Sequence, residues 1–305
     1  MNTIAHPVSD YFAMQSVVDA PAPARAVRIQ RAAHLGMCFG VRDAIALALD
    51  EAAKQPLTIL GDLVHNADVT AQLRARGIQT EHQPATVKTP AVMITAHGAS
   101  DKTMQGARAQ GLHVLEATCP LVHYAHRAVR QLAAAGFHPI IIGQRGHVEV
   151  RGLTEDLAAC DIILTDEDVA GLAPHPRLGV AAQTTQPIDR VRALVALLRQ
   201  RFPQSEVRFI DTVCQPTKLR QSAAAALAQA SDVVIVVGGA SSNNTRELVQ
   251  TCSRHCARVH HVQQAKDLRA EWLAHAVRIG LTAGTSTPDF IINEVEDRLR
   301  ALVAA

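Results

Sequence analysis

The chain has 305 residues, of which 48% are hydrophobic and 19% charged, and its formal net charge is +2. This composition is typical of a folded globular chain, and the length allows two or three domains with a substantial core. The small net charge and an aromatic content of 3% argue against a nucleic-acid partner.

No apolar run approaches the roughly 18–20 residues that cross a membrane, so no membrane association is expected. The first residues have neither the basic start nor the apolar stretch of a secretory signal. Pro21, Pro23 and scattered polar residues instead predict a flexible N-terminal tail over residues 1–26. A cytoplasmic location is the expectation that follows.

The first predicted element after the tail is a short apolar strand that leads through a cysteine into a helix. The same pattern, with Gly or Pro within two residues of the cysteine, recurs twice. The cysteines of its three occurrences are Cys38, Cys119 and Cys214. The intervals are 119 − 38 = 81 and 214 − 119 = 95 positions. Intervals of this length predict a threefold repeat, because each is long enough for a small domain.

A second strand–turn–helix unit follows each cysteine helix, and its turn carries polar side chains. These are His65 in the first repeat, His147 with Glu149 in the second, and Ser242 with Asn244 in the third.

A third strand–turn–helix unit closes each repeat. Its turns carry His97, then Thr184 with Thr185, then Ser286. Short apolar strands that alternate with helical segments favour parallel sheets covered by helices.

The predicted fold class is therefore α/β, with three pseudo-threefold-related domains built on small parallel sheets. The predicted segments are 27–117, 118–212 and 213–305, the last with a C-terminal helix. Ligands of parallel sheets bind beyond the carboxyl ends of the strands, where all of these turns lie. Symmetry then predicts that the three cysteines meet at one point.

Three thiolates at one point can hold three irons of a [4Fe–4S] cluster and leave the fourth iron without a protein ligand. An isolated cysteine is more often a small buried hydrophobe, but equivalent placement in three repeats favours ligation. Cys160, Cys252 and Cys256 fall outside the repeated position and are predicted to be core residues. A minor metal site at Cys252, His255 and Cys256 is the alternative.

Two residues of the second repeat suit proton transfer. Glu149 follows His147 in a turn and is a candidate proton donor, with a first-turn helix acid as the alternative interpretation. Thr184 is a candidate for relaying a proton or orienting a substrate, with a helix N-cap as the alternative.

The remaining polar turn residues are neutral hydrogen-bond donors before helices, a set that suits a diphosphate group. They are His65, His97, Ser242, Asn244 and Ser286. A lone histidine in such a turn is more often a structural residue than a ligand, and only the repetition favours binding.

Nine segments resemble one known family, 4-hydroxy-3-methylbut-2-enyl diphosphate reductase, in the family's order from about Val27 to Leu302. They are GMCFGVRDAI, LVHN, TAHG, EATCPLV, GHVEV, AQTTQ, DTVCQPTKLRQ, VVGGASSNNTREL and LTAGTSTPD. The resemblance implies three α/β domains around a central [4Fe–4S] cluster bound by Cys38, Cys119 and Cys214.

The resemblance also implies roles for the other turn residues. His65, His97, Ser242, Asn244 and Ser286 match the diphosphate-binding positions, and His147, Glu149 and Thr184 match the catalytic ones. The implied reaction reduces (E)-4-hydroxy-3-methylbut-2-enyl diphosphate to isopentenyl and dimethylallyl diphosphate. Ferredoxin or flavodoxin is the implied electron donor.

Several positions depart from the family pattern, among them His34-Leu35 before the first cysteine, Pro216, Asn243 and Arg151. They leave open a related Fe–S reductase that acts on another hydroxylated diphosphate. A non-enzymatic Fe–S redox sensor also stays open, as does a zinc or metal-free α/β protein with buried thiols.

Overall fold

Twelve short strands and ten α-helices occur within residues 26–64 and 66–304, the part of the chain that this computed structural model describes. The tail predicted at residues 1–26 lies outside the described residues except for its last position, and His65 lies outside them as well. Among the described residues, none of the helices has the length and apolar character that crossing a membrane requires.

The strands, in chain order, are β1 (Arg28–Arg31), β2 (Leu57–Leu60), β3 (Gln79–Glu81), β4 (Ala91–Ile94), β5 (His113–Glu116), β6 (His138–Ile142), β7 (Asp161–Ile163), β8 (Arg177–Ala182), β9 (Glu206–Phe209), β10 (Val233–Val237), β11 (Val259–Val262) and β12 (Arg278–Ala283). The α-helices are α1 (Phe39–Ala52), α2 (Ala67–Ala75), α3 (Asp101–Ala109), α4 (Pro120–Ala134), α5 (Val148–Thr154), α6 (Asp166–Ala170), α7 (Ile188–Arg201), α8 (Gln215–Gln229), α9 (Asn243–Ser253) and α10 (Asp289–Ala304). Three short 3₁₀ turns cover Pro84–Thr86, Ala265–Asp267 and Ala270–Leu273.

The strands form three four-stranded sheets, and every pairing between them is parallel. The strand orders are β5-β4-β2-β3, β9-β8-β6-β7 and β1-β12-β10-β11. In each order the strand that leads into a cysteine (β5, β9 or β1) is at one edge. Next to it is the strand of a third unit (β4, β8 or β12), followed by the strand of a second unit (β2, β6 or β10). The predicted fold class, α/β with three small parallel sheets, is confirmed.

The sheet that contains β10 shows why the central strands are continuously apolar. Its side chains alternate between two faces. Val233, Ile235 and Val237 pack in one core with residues of α10, whereas Val234 and Val236 pack in another with residues of α8 and α9. Because helices cover both faces, all five residues of the strand are buried.

The first strand does not pair within its own repeat. β1 pairs with β12, in the register that joins Arg28 to Arg278 and Arg31 to Leu281. The strand that opens the segment 27–117 therefore completes the sheet formed by the last segment. The boundaries 27–117, 118–212 and 213–305 stay a prediction. The pairing of β1 with β12 joins the first of these segments to the last.

Candidate active site

Each of the three repeated cysteines is the residue immediately before a helix. Cys38 precedes α1, Cys119 precedes α4 and Cys214 precedes α8, and in none of them does the side chain cap the helix. Ser, Thr, Asp and Asn are the residues that usually cap a helix here, because their oxygen accepts a backbone N–H. A thiol that does not cap the helix remains available to bind a metal.

The backbone holds the three cysteines in the same way. Each cysteine N–H donates a hydrogen bond to a carbonyl in the loop after the central strand of the third unit. The pairs are Cys38 with Thr285 at 3.4 Å, Cys119 with Ala96 at 3.1 Å, and Cys214 with Thr184 at 3.0 Å. Each thiol is thereby fixed to a loop that carries one of the predicted polar residues.

All three cysteines line a single cavity, together with Glu149 and Thr184. The approach of α1 to this cavity depends on Gly40. A Cβ atom on Gly40 would lie 2.7 Å from Sγ of Cys119, closer than real Cβ contacts allow. The three thiols thus converge on one cavity, as the threefold repeat predicts.

The spacing of the sulfurs distinguishes between a single ion and a larger group. Among the described residues, only His138, Asp161 and His175 have ligand atoms that all lie within 4.8 Å of one another. At least one separation between the three cysteine sulfurs is therefore larger. Two sulfurs on one zinc ion can be at most about 4.6 Å apart, since each Zn–S bond is about 2.3 Å. As placed, the three thiols suit a polynuclear centre better than one zinc ion.

Burial raises the pKa of the Cys119 thiol and of the Cys214 thiol. A buried thiolate requires a compensating positive charge, which a metal centre supplies by binding the deprotonated sulfur. Thr217 adds a hydrogen bond to the third thiol, with its Oγ1 3.1 Å from Sγ of Cys214. The donor set and its surroundings therefore fit an iron–sulfur cluster.

Glu149 is in the first turn of α5 and is almost fully buried, with 1% of its surface exposed. Its Oε1 accepts a hydrogen bond of 2.6 Å from the backbone N–H of Thr184. Burial raises the pKa of this carboxyl to about 7, although hydrogen bonds from Thr184 act in the opposite direction. A carboxyl with this pKa exchanges a proton near neutral pH, as general acid–base catalysis requires.

A second cavity adjoins the first, and both are lined by His97, Thr185 and Thr285. The second is also lined by His147, Ser242, Asn243, Asn244 and Ser286. Several of these polar groups are buried without a partner among the described residues: Nδ2 of Asn243, Nδ2 of Asn244 and Oγ of Ser286. Unpaired buried donors are costly in a folded protein, and a bound anion would satisfy them.

His97 lines both cavities, and His147 of the second cavity is hydrogen-bonded to Glu149 of the first. Nδ1 of His147 accepts a hydrogen bond of 3.1 Å from the Glu149 N–H. In the neutral ring the proton is then assigned to Nε2, which makes this nitrogen a donor. The His147 ring meets that of His97 edge to face, with their centroids 5.6 Å apart.

The structure thus brings together ten of the eleven predicted site residues around two adjoining cavities. His65 is the exception, because it lies outside the described residues. The individual roles stay predictions. The sequence marks Asn243 only as a departure from the family pattern, and it does not predict a role for Thr285. Their adjacency to Asn244 and Ser286 is the signal that could have included them.

The other cysteines lie away from the site. Cys252 and Cys256 are buried in the core between α8, α9 and β10, and burial raises the pKa of Cys252 to about 12. They form no metal-binding group with His255 in the part of the chain that the structure describes. Cys160 is half-buried.

Three parallel sheets whose loops bring together three thiols, a buried carboxyl and a set of donors define an α/β enzyme with a thiol-lined reaction cavity. Comparison with known proteins identifies the family. The model of the LytB protein family matches residues 29–300, and the chain belongs to this family.

The relatives are similar over nearly their whole length. The 4-hydroxy-3-methylbut-2-enyl diphosphate reductase of Aquifex aeolicus is 34% identical over 278 residues, which are 89% of this chain and 95% of the relative. The enzyme of the same name from Geobacter metallireducens is 31% identical, over 90% of this chain and 97% of the relative.

Two solved structures share the fold. One is (E)-4-hydroxy-3-methyl-but-2-enyl diphosphate reductase, the terminal enzyme of the non-mevalonate pathway, at 34% identity and a TM-score of 0.66, covering 90% of this chain and 99% of that one. The E-1-hydroxy-2-methyl-but-2-enyl-4-diphosphate reductase from Plasmodium falciparum is 28% identical, with a TM-score of 0.82 and coverage of 89% and 87%. The resemblance, and with it the prediction of an enzyme of this reductase family, is confirmed.

Proposed function

We propose that the protein reductively removes the hydroxyl group of (E)-4-hydroxy-3-methylbut-2-enyl diphosphate. Two electrons and two protons enter, one C–O bond breaks, and water leaves with either isopentenyl or dimethylallyl diphosphate as the second product. The observation that carries the proposal is the adjacency of the two cavities, one lined by three thiols and a buried acid, the other by donors that have no partner within residues 26–64 and 66–304.

The proposed cofactor is a [4Fe–4S] cluster held by Cys38, Cys119 and Cys214. When bound, such a cluster supplies electrons one at a time and offers an iron without a protein ligand as a Lewis acid. The placement of all three thiols in one cavity, and at least one sulfur–sulfur separation too wide for one zinc ion, support this assignment.

In this proposal the second cavity binds the diphosphate. Ser242 and Asn244 are at the start of α9, where unpaired backbone N–H groups and the positive end of the helix dipole favour an anion. Oδ1 of Asn244 accepts the Thr285 N–H at 3.0 Å, which orients its amide NH₂ group as the free donor. Ser286 and His97 add further polar groups at the same cavity.

Glu149 is the proposed proton donor. Its hydrogen bond to the Thr184 N–H fixes the carboxyl in the thiol-lined cavity, and its pKa of about 7 keeps a large protonated fraction near neutral pH. The Thr184 hydroxyl also contacts this carboxyl, so a change of proton at Glu149 can be transmitted to a substrate hydroxyl bound nearby.

Electrons are proposed to come from ferredoxin or flavodoxin, in a reducing compartment such as the cytoplasm. Cys38 lines a further, outer cavity in addition to the central one. Phe39 and Leu219 line the same cavity and are exposed, and together they offer a donor an apolar surface beside Cys38.

The test is anaerobic purification with iron and sulfide analysis, followed by turnover of the proposed substrate with a reduced donor. Serine variants of Cys38, Cys119 and Cys214 should each lose iron, whereas Cys160→Ser, at a half-buried cysteine outside the site, should retain it. Faster turnover of another hydroxylated diphosphate would favour a related reductase. A cluster without any turnover would favour a redox sensor, and one zinc ion in place of iron would overturn the proposal.

A further inference from the structure

Arg220 is a buried cation beside two of the three repeated cysteines. It is in α8, six positions after Cys214, and only 7% of its surface is exposed. Within residues 26–64 and 66–304 it forms no ion pair with a carboxylate. A buried guanidinium is always charged, and leaving it without an anion is strongly unfavourable.

The contacts of Arg220 join two cysteine loops. Its Nε donates to the carbonyl of Gly36 at 3.0 Å, and its Nη1 donates to the carbonyl of Pro216 at 3.1 Å. Gly36 is two residues before Cys38, and Pro216 is two residues after Cys214. The planar guanidinium therefore holds the charge in a fixed place between the loops that carry these thiols.

The groups near Arg220 that would become anions on binding the proposed cluster are the cysteine sulfurs. Burial lowers the pKa of Arg220 and the charge of Arg42 adds to this, whereas Cys38 and Cys214 raise it. Arg220 and Cys38 also line the same outer cavity. In the cluster-bound protein the sulfur ligands, rather than an acidic side chain, would balance the positive charge at this position.

We propose that Arg220 is a positioning residue that raises the reduction potential of the cluster by placing a fixed positive charge beside two of its ligands. This inference rests on the proposed function, since it requires the cluster. Each electron that enters makes the cluster with its thiolates more negative by one charge. A neighbouring cation in a poorly screened position stabilises the reduced form more than the oxidised form.

The experiment measures the midpoint potential of the cluster by anaerobic redox titration with EPR detection. In Arg220→Gln, reduction should become about tenfold less favourable, which is a decrease of about 59 mV for one electron. Arg220→Lys keeps the charge and should remain close to the wild-type potential. Arg42→Gln is the matched control, because Arg42 lines the same outer cavity but is 55% exposed and paired with Asp289.

An Arg220→Gln protein with full iron content and the wild-type potential would overturn the proposal. If Arg220→Gln loses iron, Arg220→Lys decides. Retained iron at the wild-type potential supports the role of charge, whereas loss of iron from the lysine variant as well shows a purely structural role. A wild-type protein without a cluster would instead remove the proposed function.

A separate group of side chains lies on the sheet formed by β6 to β9, at the end of its strands opposite the active site. His138 begins β6, Asp161 begins β7 and His175 precedes β8. Because these strands are parallel, the group is at their amino ends, away from the loops of the active site. Nε2 of His138 is 2.8 Å from Oδ2 of Asp161, and the two imidazole rings stack with centroids 3.7 Å apart.

We infer that these three residues form a binding site for a divalent transition metal such as Zn²⁺, and that one imidazole turns out of the stack when the ion binds, because two parallel rings cannot both point a nitrogen lone pair at one ion. All three ligand atoms lie within 4.8 Å of one another. Two imidazoles and a carboxylate are a ligand set that zinc accepts in four-coordinate sites. The hydroxyl of Ser205 donates to the His175 carbonyl at 2.6 Å, which holds the loop in place.

The test is calorimetric titration of the cluster-loaded protein with Zn²⁺ alone. One ion should bind per chain, and both His138→Gln and His175→Gln should weaken binding at least tenfold. His123→Gln is the matched control, since His123 is 3.4 Å from Glu116 in an exposed pair that has no third ligand among the described residues. Equal binding by the wild type and by His175→Gln, a variant in a loop, would overturn the site.

Discussion

Replacing Glu149 by Gln should change how the stability of the cluster-free protein depends on pH. The carboxyl has a pKa of about 7 in the folded protein and an ordinary value of 4.5 in the unfolded chain, mainly because the folded protein buries it. Between these values the folded state holds a proton that the unfolded state has released. Stability from this group is therefore fully present below about pH 4.5 and is lost as the pH rises to about 7.

The difference of 7 − 4.5 = 2.5 in pKa corresponds to about 3 kcal/mol, at about 1.4 kcal/mol for each unit. The amide that the substitution introduces carries no charge at any of these pH values, and its oxygen can still accept the Thr184 N–H. The free energy of unfolding of Glu149→Gln relative to the wild type should thus rise by about 3 kcal/mol between pH 4.5 and pH 8.

The assay is urea denaturation of both proteins without cluster and with reduced thiols, at intervals across this pH range. Other titrating groups are common to both proteins and cancel in the difference. A difference in unfolding free energy that stays constant with pH would refute the raised pKa. In the loaded enzyme the same group predicts a turnover that falls as the pH rises above about 7, because the proton donor is then lost.

Three further changes test the site and the core. Asn244→Ala should raise KM for the diphosphate more than it lowers kcat, and an unchanged KM would contradict diphosphate binding. Because the substitution leaves the N–H of Thr285 without its acceptor, it should also reduce the free energy of unfolding by about 1–3 kcal/mol. Gly40→Ala should lower the iron content, because the new Cβ would lie 2.7 Å from Sγ of Cys119. The far-ultraviolet circular dichroism should stay that of the wild type, and full iron content would show that the thiol can move. Ile235→Ala, at a fully buried position of β10, should reduce the unfolding free energy measured in urea by about 2–5 kcal/mol and leave the KM unchanged. A loss below about 1 kcal/mol would mean that the core can close around the missing atoms.

The repeated strand–cysteine–helix pattern was enough to predict the parallel sheets. Local signals suffice for this, because a buried strand such as β10 is continuously apolar and a polar cap residue, Ser242, precedes the helix after it. The convergence of the three thiols followed from the repetition, since equivalent loops of equivalent sheets face one centre.

Other features could not be read from local patterns. The outer strand β3, Gln79–Glu81, is short and polar, and only its pairing with β2 makes it a strand. The buried Arg220 donates a hydrogen bond to the carbonyl of Gly36, 184 positions earlier in the chain. Pro216, a departure from the family pattern, lies in the first turn of α8, where proline is well tolerated.

The pairing of β1 with β12 has a consequence for synthesis of the protein. Arg28 leaves the ribosome long before Arg278, its partner 250 positions later. The sheets of β2–β5 and β6–β9 can each close as translation proceeds, but the third must wait for nearly the whole chain. Until then β1 has no partner strand, and a chain that loses β1 leaves the edge of β12 unpaired and prone to aggregation.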